Sequence, residues 1–167
     1  ATSRAIVVDS IADEFVKKLV EKANSITVGN GADAAVQMGP VVDKHQYDSV
    51  LGYIEAGRED GAEMLCGGAV NGDGDVNGYF VRPTVFDRVT PDMRIAREEI
   101  FGPVLAVMRV RDFDEAMAIA NDSEYGLTSA IFTKDNSRVF RFVEEIETGV
   151  THVNSATVGG EAHIPFG

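Results

Sequence analysis

Short β-branched apolar runs alternate with amphipathic helical stripes along this chain, and that alternation restricts it to an α/β architecture. Arg4-Ala5-Ile6-Val7-Val8 reads as a buried strand. Ser10 is expected to N-cap a helix of about 14 residues, with Ile11, Phe15, Leu19 and Ala23 as its stripe and Val16 and Val20 beside it. Asp43 is expected to cap a second helix, running from Gln46 to about Asp60, in which Tyr47, Leu51 and Ile54 share a face before Gly61 stops it. Ala62 to Cys66 reads as a strand ended by Gly67-Gly68, residues 69 to 78 as a loop, and Tyr79 to Phe86 as an extended segment that Pro83 places at a sheet edge or in a strand-like loop. A helical turn around Asp92 to Ile95 precedes a strand through Val110. Asp112 then caps a helix with Phe113, Ala116, Met117 and Ala120 on one face. Thr128 to Thr133 is a strand, Asp135 opens a helix carrying Val139, Phe142, Val143 and Ile146 inward, and Val150 to Val153 is the last strand. The expected class is α/β, a largely parallel open sheet flanked by helices, in a single domain over 1–167.

Composition narrows the partners. The net charge of −12 is spread along the chain, whereas nucleic acid or an anionic membrane requires a basic footprint, so neither is an expected partner. No apolar run approaches the length of a membrane span, and Ala1-Thr2-Ser3-Arg4 lacks the pattern of a secretory signal. The absence of an initial Met leads to the expectation that the chain starts inside a longer polypeptide or has been processed. Cys66, the only cysteine, excludes an intramolecular disulfide and fits a reducing, cytoplasmic setting; in its apolar strand it reads as a buried, inert thiol. His45, His152 and His163 are too scattered for a metal site. His45 reads as a helix-surface residue and His152 as pointing out of its strand. His163, beside Glu161, suits either a site wall or an ordinary loop position. Asn71-Gly72-Asp73-Gly74 lacks the strand-to-helix context of a phosphate cradle, and no Gly-x-Ser-x-Gly elbow is present.

The chemistry-bearing candidate is Glu98-Glu99-Ile100-Phe101-Gly102-Pro103, two carboxylates and an aromatic set before a turn and an apolar strand. Such a group suits a polar ligand. On local chemistry, acidic residues before a turn are more often a solvated pair, or an ion pair with a neighbour such as Arg94 or Arg97. In open α/β sheets ligands gather outside the carboxyl ends of strands, which singles out the loop from Asn154 onward as well.

Five segments in order resemble the NAD(P)-dependent aldehyde dehydrogenase superfamily. They are Met38-Gly39-Pro40-Val41-Val42-Asp43 with Gln46, the stretch Gly78 to Val85, the Glu98 to Pro103 motif, Tyr125 to Ala130, and His152-Val153-Asn154 with Pro165-Phe166-Gly167. The resemblance implies that Glu99 accepts hydrogen bonds from the nicotinamide ribose of NAD or NADP, and a carboxylate, an acceptor only, suits that task. It implies that Phe101 packs near the nicotinamide and that Gln46 stands at the edge of the cofactor site. Ser49 occupies a position where many relatives have Lys. Asn154, Ser155, His163 and Phe166 are implied to line the aldehyde pocket, with Gly159-Gly160 where a bulky aromatic occurs in relatives.

No catalytic residue is assigned within the chain. The family's nucleophilic cysteine, in a Gly-Gln-x-Cys segment, is expected just before Ala1, with the general base and the dinucleotide-binding domain further upstream. The implied parent is a homodimer or homotetramer that oxidises an aldehyde to a carboxylic acid through a cysteine thiohemiacetal and thioester. Two rivals stay open: a dehydrogenase that passes the acyl group to coenzyme A, and a non-catalytic binding or scaffold module derived from the family.

Overall fold

The first helix grows directly out of the first strand, without a side-chain cap. In the computed structural model, which describes residues 2–70, 78–159, 163, 165 and 166, β1 (Arg4–Val8) passes into α1 (Asp9–Asn24) through Val8, whose extended backbone has φ −63° and ψ 131°. Ser10 therefore lies inside the helix and does not cap it. Asp9 in the first turn and Lys22 in the last complement the helix dipole instead. The buried stripe is Ala12, Val16 and Ala23: Ala23 is buried as expected, but in the first two turns Ala12 and Val16 take the place of Ile11 (57% exposed) and Phe15 (37%), which look outward. The small Ala12, fully buried, lets the helix approach the sheet, and the stripe follows that line of closest approach.

The residues fall into two compact units, taken separately below. The larger, Ser3–Arg109, holds β1, α1, α2 (Lys44–Glu59), β2 (Glu63–Ala69), β3 (Val81–Asp87), α3 (Arg94–Arg97) and nearly all of β4 (Val104–Val110). Its sheet runs β1-β4-β3-β2, with β3 parallel to β4 and antiparallel to β2. Alternation along β3 and β4 divides the core. Val85 and Val107 meet Val7, Ala12, Val16 and Ala23 on the α1 side, while Phe86 meets Gly57 of α2 and Ile95 of α3 on the other.

Two expectations about the β2–β3 pair change. The second strand does not stop at Gly67-Gly68 but continues to Ala69 through two register shifts, with both glycines at positive φ (101° and 89°). A Cβ on Gly67 would run into Thr84, whose hydroxyl accepts from the Gly68 N–H at 2.9 Å and donates to the Arg82 carbonyl at 2.8 Å. Pro83 consequently sits in an interior strand rather than at an edge. The β2 register jumps from Cys66↔Val85 to Gly68↔Arg82, and pairing with β4 begins only at Thr84, so neither neighbour requires the N–H that Pro83 lacks. The Asn71 to Gly74 stretch lies outside the described residues.

One charged network ties three elements of this unit together. Arg109 of β4 makes a two-pronged contact with Asp87 of β3, Nε to Oδ1 at 3.1 Å and Nη2 to Oδ2 at 2.7 Å, and its Nη1 reaches Asp13 of α1 at 2.7 Å. Burial pushes the Asp87 carboxyl up, but hydrogen bonds from Arg109 and the Arg88 N–H outweigh it and hold the group below the usual aspartate range.

The smaller unit, Ala1–Thr2 with Val110–Gly167, contains α4 (Phe113–Asn121), β5 (Thr128–Ile131), α5 (Asn136–Glu145) and β6 (Val150–Val153). Asp112 and Asp135 cap the two helices as expected, accepting from Glu115 N, and from Ser137 N and Arg138 N. The strands pair in parallel from Thr128↔Val150 to Ile131↔Val153. The Asn121 side chain donates to Glu145 O at 2.7 Å and accepts from Glu147 N at 3.0 Å, fastening the end of α5 to that of α4. Phe142 is buried on α5, whereas Val143, expected inward, is 52% exposed, because adjacent helical positions point about 100° apart. His152 does not point freely outward. It is half-buried, and its Nε2 has no partner among the described residues.

Replacing Asp87 with Asn leaves Arg109 facing a neutral amide at a buried position and is expected to lower stability by about 3 kcal/mol at neutral pH. Asp87 is depressed in the folded state, so its contribution is present above the unfolded value of about 3.9 and is lost as pH falls through the folded value. Urea denaturation of both proteins across the acid range should show their difference shrinking as pH drops; a pH-independent difference refutes this account.

Candidate functional site

The Glu98 to Pro103 loop lies along one face of α2. Gln46, Val50 and Tyr53, at i, i+4 and i+7, provide that face. The Gln46 side-chain amide donates to the carbonyls of Ile100 and Phe101, both at 3.0 Å. Gly102 approaches Val50 so closely that a Cβ there would stand 2.5 Å from Val50 Cγ2. The Tyr53 hydroxyl donates to Glu98 Oε2 at 2.8 Å, and Arg94 reaches the same carboxylate at 3.4 Å. The tyrosine hydrogen bond, then the arginine, hold Glu98 below the usual glutamate range. Of the two acidic residues, Glu98 is thus built into the support.

Beyond the support the loop turns sharply. Ile100 is buried as its anchor, and Phe101 takes a left-handed backbone, φ 54°, which an aromatic residue adopts only when its surroundings impose it. Phe101 is 76% exposed and Glu99 is exposed as well. Downstream, the Pro103 carbonyl accepts from Thr84 N at 2.7 Å, locking the loop exit to β3. Gln46 itself is held by the Asp43 cap, whose Oδ1 accepts from its N–H at 2.8 Å. The structure therefore sets Gln46 against the loop that carries Glu99 and Phe101. Tyr53 and Val50 went unnoticed in the sequence, although their spacing from Gln46 is readable there.

A second group belongs to the smaller unit. Asn154, at the end of β6, has φ 52° and a side chain in a reciprocal pair with Thr133: its Oδ1 accepts from Thr133 N at 2.9 Å and its Nδ2 donates to Thr133 O at 3.0 Å. With Asn154 N donating to Ile131 O at 2.8 Å, the residue clamps the end of β6 to the exit of β5. Ser155 Oγ stands 3.5 Å from His152 Nδ1, and the Thr2 and Thr157 hydroxyls are 2.8 Å apart. Asn154, Ser155 and Thr157 thus share one loop. Phe166 instead lies against Gly149, just before β6, where any Cβ would collide with its ring, so it sits at the opposite end of that strand from Asn154. His163 is exposed; Gly160 and Glu161 lie outside the described residues.

Cys66 lies against the α1 side of the core, with Sγ 3.8 Å from the Pro83 carbonyl, and burial pushes its thiol up, away from the thiolate a nucleophile needs. Among the described residues no group of three or more His, Cys, Asp or Glu could hold a metal ion, and no helix is long and apolar enough to cross a membrane.

Comparison with known proteins gives a consistent picture. The family model described as "Aldehyde dehydrogenase family" matches residues 1–167. The chain is 50% identical over 168 residues to an alpha-ketoglutarate semialdehyde dehydrogenase of Haloferax volcanii, covering 100% of this chain and 34% of that protein. It is 43% identical to aldehyde dehydrogenase 1A1 of Mesocricetus auratus, over 100% of this chain and 32% of the relative. A crystal structure of betaine aldehyde dehydrogenase from Staphylococcus aureus in complex with NAD+ superposes with a TM-score of 0.93 at 35% identity, over 99% of this chain and 33% of that one. The chain spans about a third of the length of the curated relatives it matches.

The Asn154 clamp generates a test that separates hydrogen bonding from backbone strain. Asp tolerates the same left-handed backbone but cannot donate to the Thr133 carbonyl. Asn154→Asp is expected to cost about 1–3 kcal/mol in urea denaturation at neutral pH, the penalty for turning a satisfied pair into two facing acceptors. A midpoint unchanged from the parent shows that the clamp carries no stability.

Proposed function

Because the chain belongs to the aldehyde dehydrogenase family, we propose that its full-length protein oxidises an aldehyde to a carboxylic acid with NAD or NADP, and that these residues supply cofactor positioning and part of the substrate surface. The observation that carries this reading is the supported loop. Its buried side is fastened to α2 and β3, while Glu99 and the Phe101 ring face outward. The group suits a dinucleotide. A carboxylate offers acceptors to two neighbouring ribose hydroxyls, and an exposed aromatic face, held by its backbone rather than by packing, suits a flat ring. The cofactor, when bound, accepts the hydride. Glu99 fixes the ribose and Phe101 limits where the ring can lie, so that the aldehyde carbon meets it in an aligned approach.

The nucleophile belongs to the protein outside these residues. Cys66 is a poor candidate, since its half-buried thiol is pushed up by burial. A cysteine thiolate that adds to the aldehyde and then carries the acyl group to water completes the proposed reaction. We assign the loop from Asn154 through Thr157 and His163 to the substrate side, where the role of Asn154 is to hold the backbone rather than to touch the aldehyde; Phe166, against Gly149 at the other end of β6, stands apart from that loop and is assigned to the substrate side on the family resemblance alone. The relatives bear the names of different aldehydes, and we propose the aldehyde class alone. A soluble homodimer or homotetramer in the cytoplasm completes the reading, on the strength of the family resemblance.

Two measurements test it. Glu99→Gln in the full-length protein keeps the shape but replaces one acceptor oxygen with a donor; cofactor affinity or the hydride-transfer rate should fall roughly tenfold or more. Unchanged affinity and rate in that variant remove Glu99 from the site. The 167-residue chain by itself should form no NADH from simple aldehydes, and measurable NADH formation would overturn the placement of the nucleophile elsewhere.

A further inference from the structure

We propose that Gln46 is a positioning residue for the cofactor group, acting through the backbone of Ile100 and Phe101 rather than by touching the cofactor with its amide nitrogen. The inference rests on the reading of Glu99 and Phe101 as cofactor contacts. A glutamine amide has two N–H donors. In this structure the Nε2 group spends them on the Ile100 and Phe101 carbonyls, each at 3.0 Å, so no donor remains for a ligand.

The place where it binds matters more than the number of bonds. Phe101 is one of three non-glycine residues with positive φ among those described, and the only one of the three in this loop. Its peptide carbonyl, and the one before it, are those that Gln46 holds. Turning either peptide back toward an ordinary conformation would swing its oxygen away from Nε2 and carry the Phe101 ring with it. Glu99 directly precedes the segment held by this pair of bonds. Gln46 is itself fixed at its base. It sits in the first turn of α2, its N–H bound to the Asp43 cap at 2.8 Å. Val50 one turn on meets Gly102, and Tyr53 beyond it meets Glu98, so three side chains of one helix face copy its geometry onto the loop. Of these, Gln46 alone holds the left-handed turn.

Direct contact and positioning make opposite demands on chemistry. A residue that meets a ribose hydroxyl through its remaining oxygen is well replaced by Glu, which keeps the acceptor. A residue that holds two carbonyls is badly replaced by Glu, which has no donor and sets a negative charge against them. Lys reverses this, keeping donors and losing the acceptor.

The test uses the full-length protein, with NAD binding followed by calorimetry alongside kcat and KM for the aldehyde and NAD. Gln46→Glu should weaken NAD binding roughly tenfold, while Gln46→Lys should recover part of that loss. Amide hydrogen exchange over residues 99–104 should quicken in Gln46→Glu, with the thermal midpoint reporting separately on the fold as a whole. In a Glu99→Gln/Phe101→Leu background the Gln46→Glu effect on NAD affinity should largely disappear, because the groups it positions are gone. Wild-type NAD affinity in Gln46→Glu, or an undiminished effect in the double background, overturns positioning and leaves the roles of Glu99 and Phe101 standing. If Glu99→Gln/Phe101→Leu itself binds NAD as the parent does, the underlying reading fails, and the inference with it.

Discussion

The contact on which the candidate site depends is the approach of α2 to β3 at Gly57. A Cβ there would lie 3.0 Å from Ile95 Cδ1 and 3.1 Å from Phe86 Cζ, and both of those side chains are fully buried. Phe86 supplies a large aromatic surface at the centre of that face, and the missing side chain of Gly57 sets how deep the helix can sit on it. With α2 seated, the Gln46, Val50 and Tyr53 face is carried to one place relative to the sheet. The loop entering β4 then has a rigid surface to lie on. Asp60, just past the helix, adds a second tie by accepting from Arg94 N at 3.1 Å, which holds α3 and the start of the loop.

The opposite face of the sheet is organised by charge as well as by packing. Since Phe86 points to α2, Val85 and Asp87 point the other way, and Arg109 meets Asp87 there while reaching Asp13 on α1. A carboxylate with 4% of its side chain exposed is costly unless it is paired, and the two-pronged guanidinium satisfies both of its oxygens. The same strand thus presents an aromatic anchor to one helix and an ion pair to the other. Its proline is tolerated because the Gly67-Gly68 bulge on β2 absorbs the break in pairing.

Much of this was legible in the chain. Helix caps at Asp43, Asp112 and Asp135 follow from local chemistry, because an Asp side chain bonding the N–H groups just beyond it needs no distant partner. The strand entered after Pro103 and the stop at Gly61, with φ 93°, are likewise local. Misreadings arose where a distant neighbour decided the outcome. The first two turns of the α1 stripe bury Ala12 and Val16 in place of Ile11 and Phe15, because the small Ala12 sits where the helix meets the sheet. The second strand ran through two glycines because a threonine on its neighbour fills the space. Pro83 lies inside the sheet for the same reason, and nothing within several residues of it announces a bulge on another strand.

The candidate site divides in the same way. The sequence by itself determined which groups are present: a carboxylate pair, an aromatic and a turn before a strand, a glutamine behind a helix cap, and an asparagine after the last strand. It also determined membership of a family, since motifs in order are a property of the chain. Only the tertiary structure decided how those groups divide their work. Glu98 is consumed by Tyr53 and Arg94, Gln46 by two carbonyls, and Asn154 by Thr133, while Glu99 and Phe101 are turned outward. The reason is physical. Residue type sets what a side chain can donate or accept, but which partner it meets depends on a helix, a loop and two strands distant in sequence coming into register.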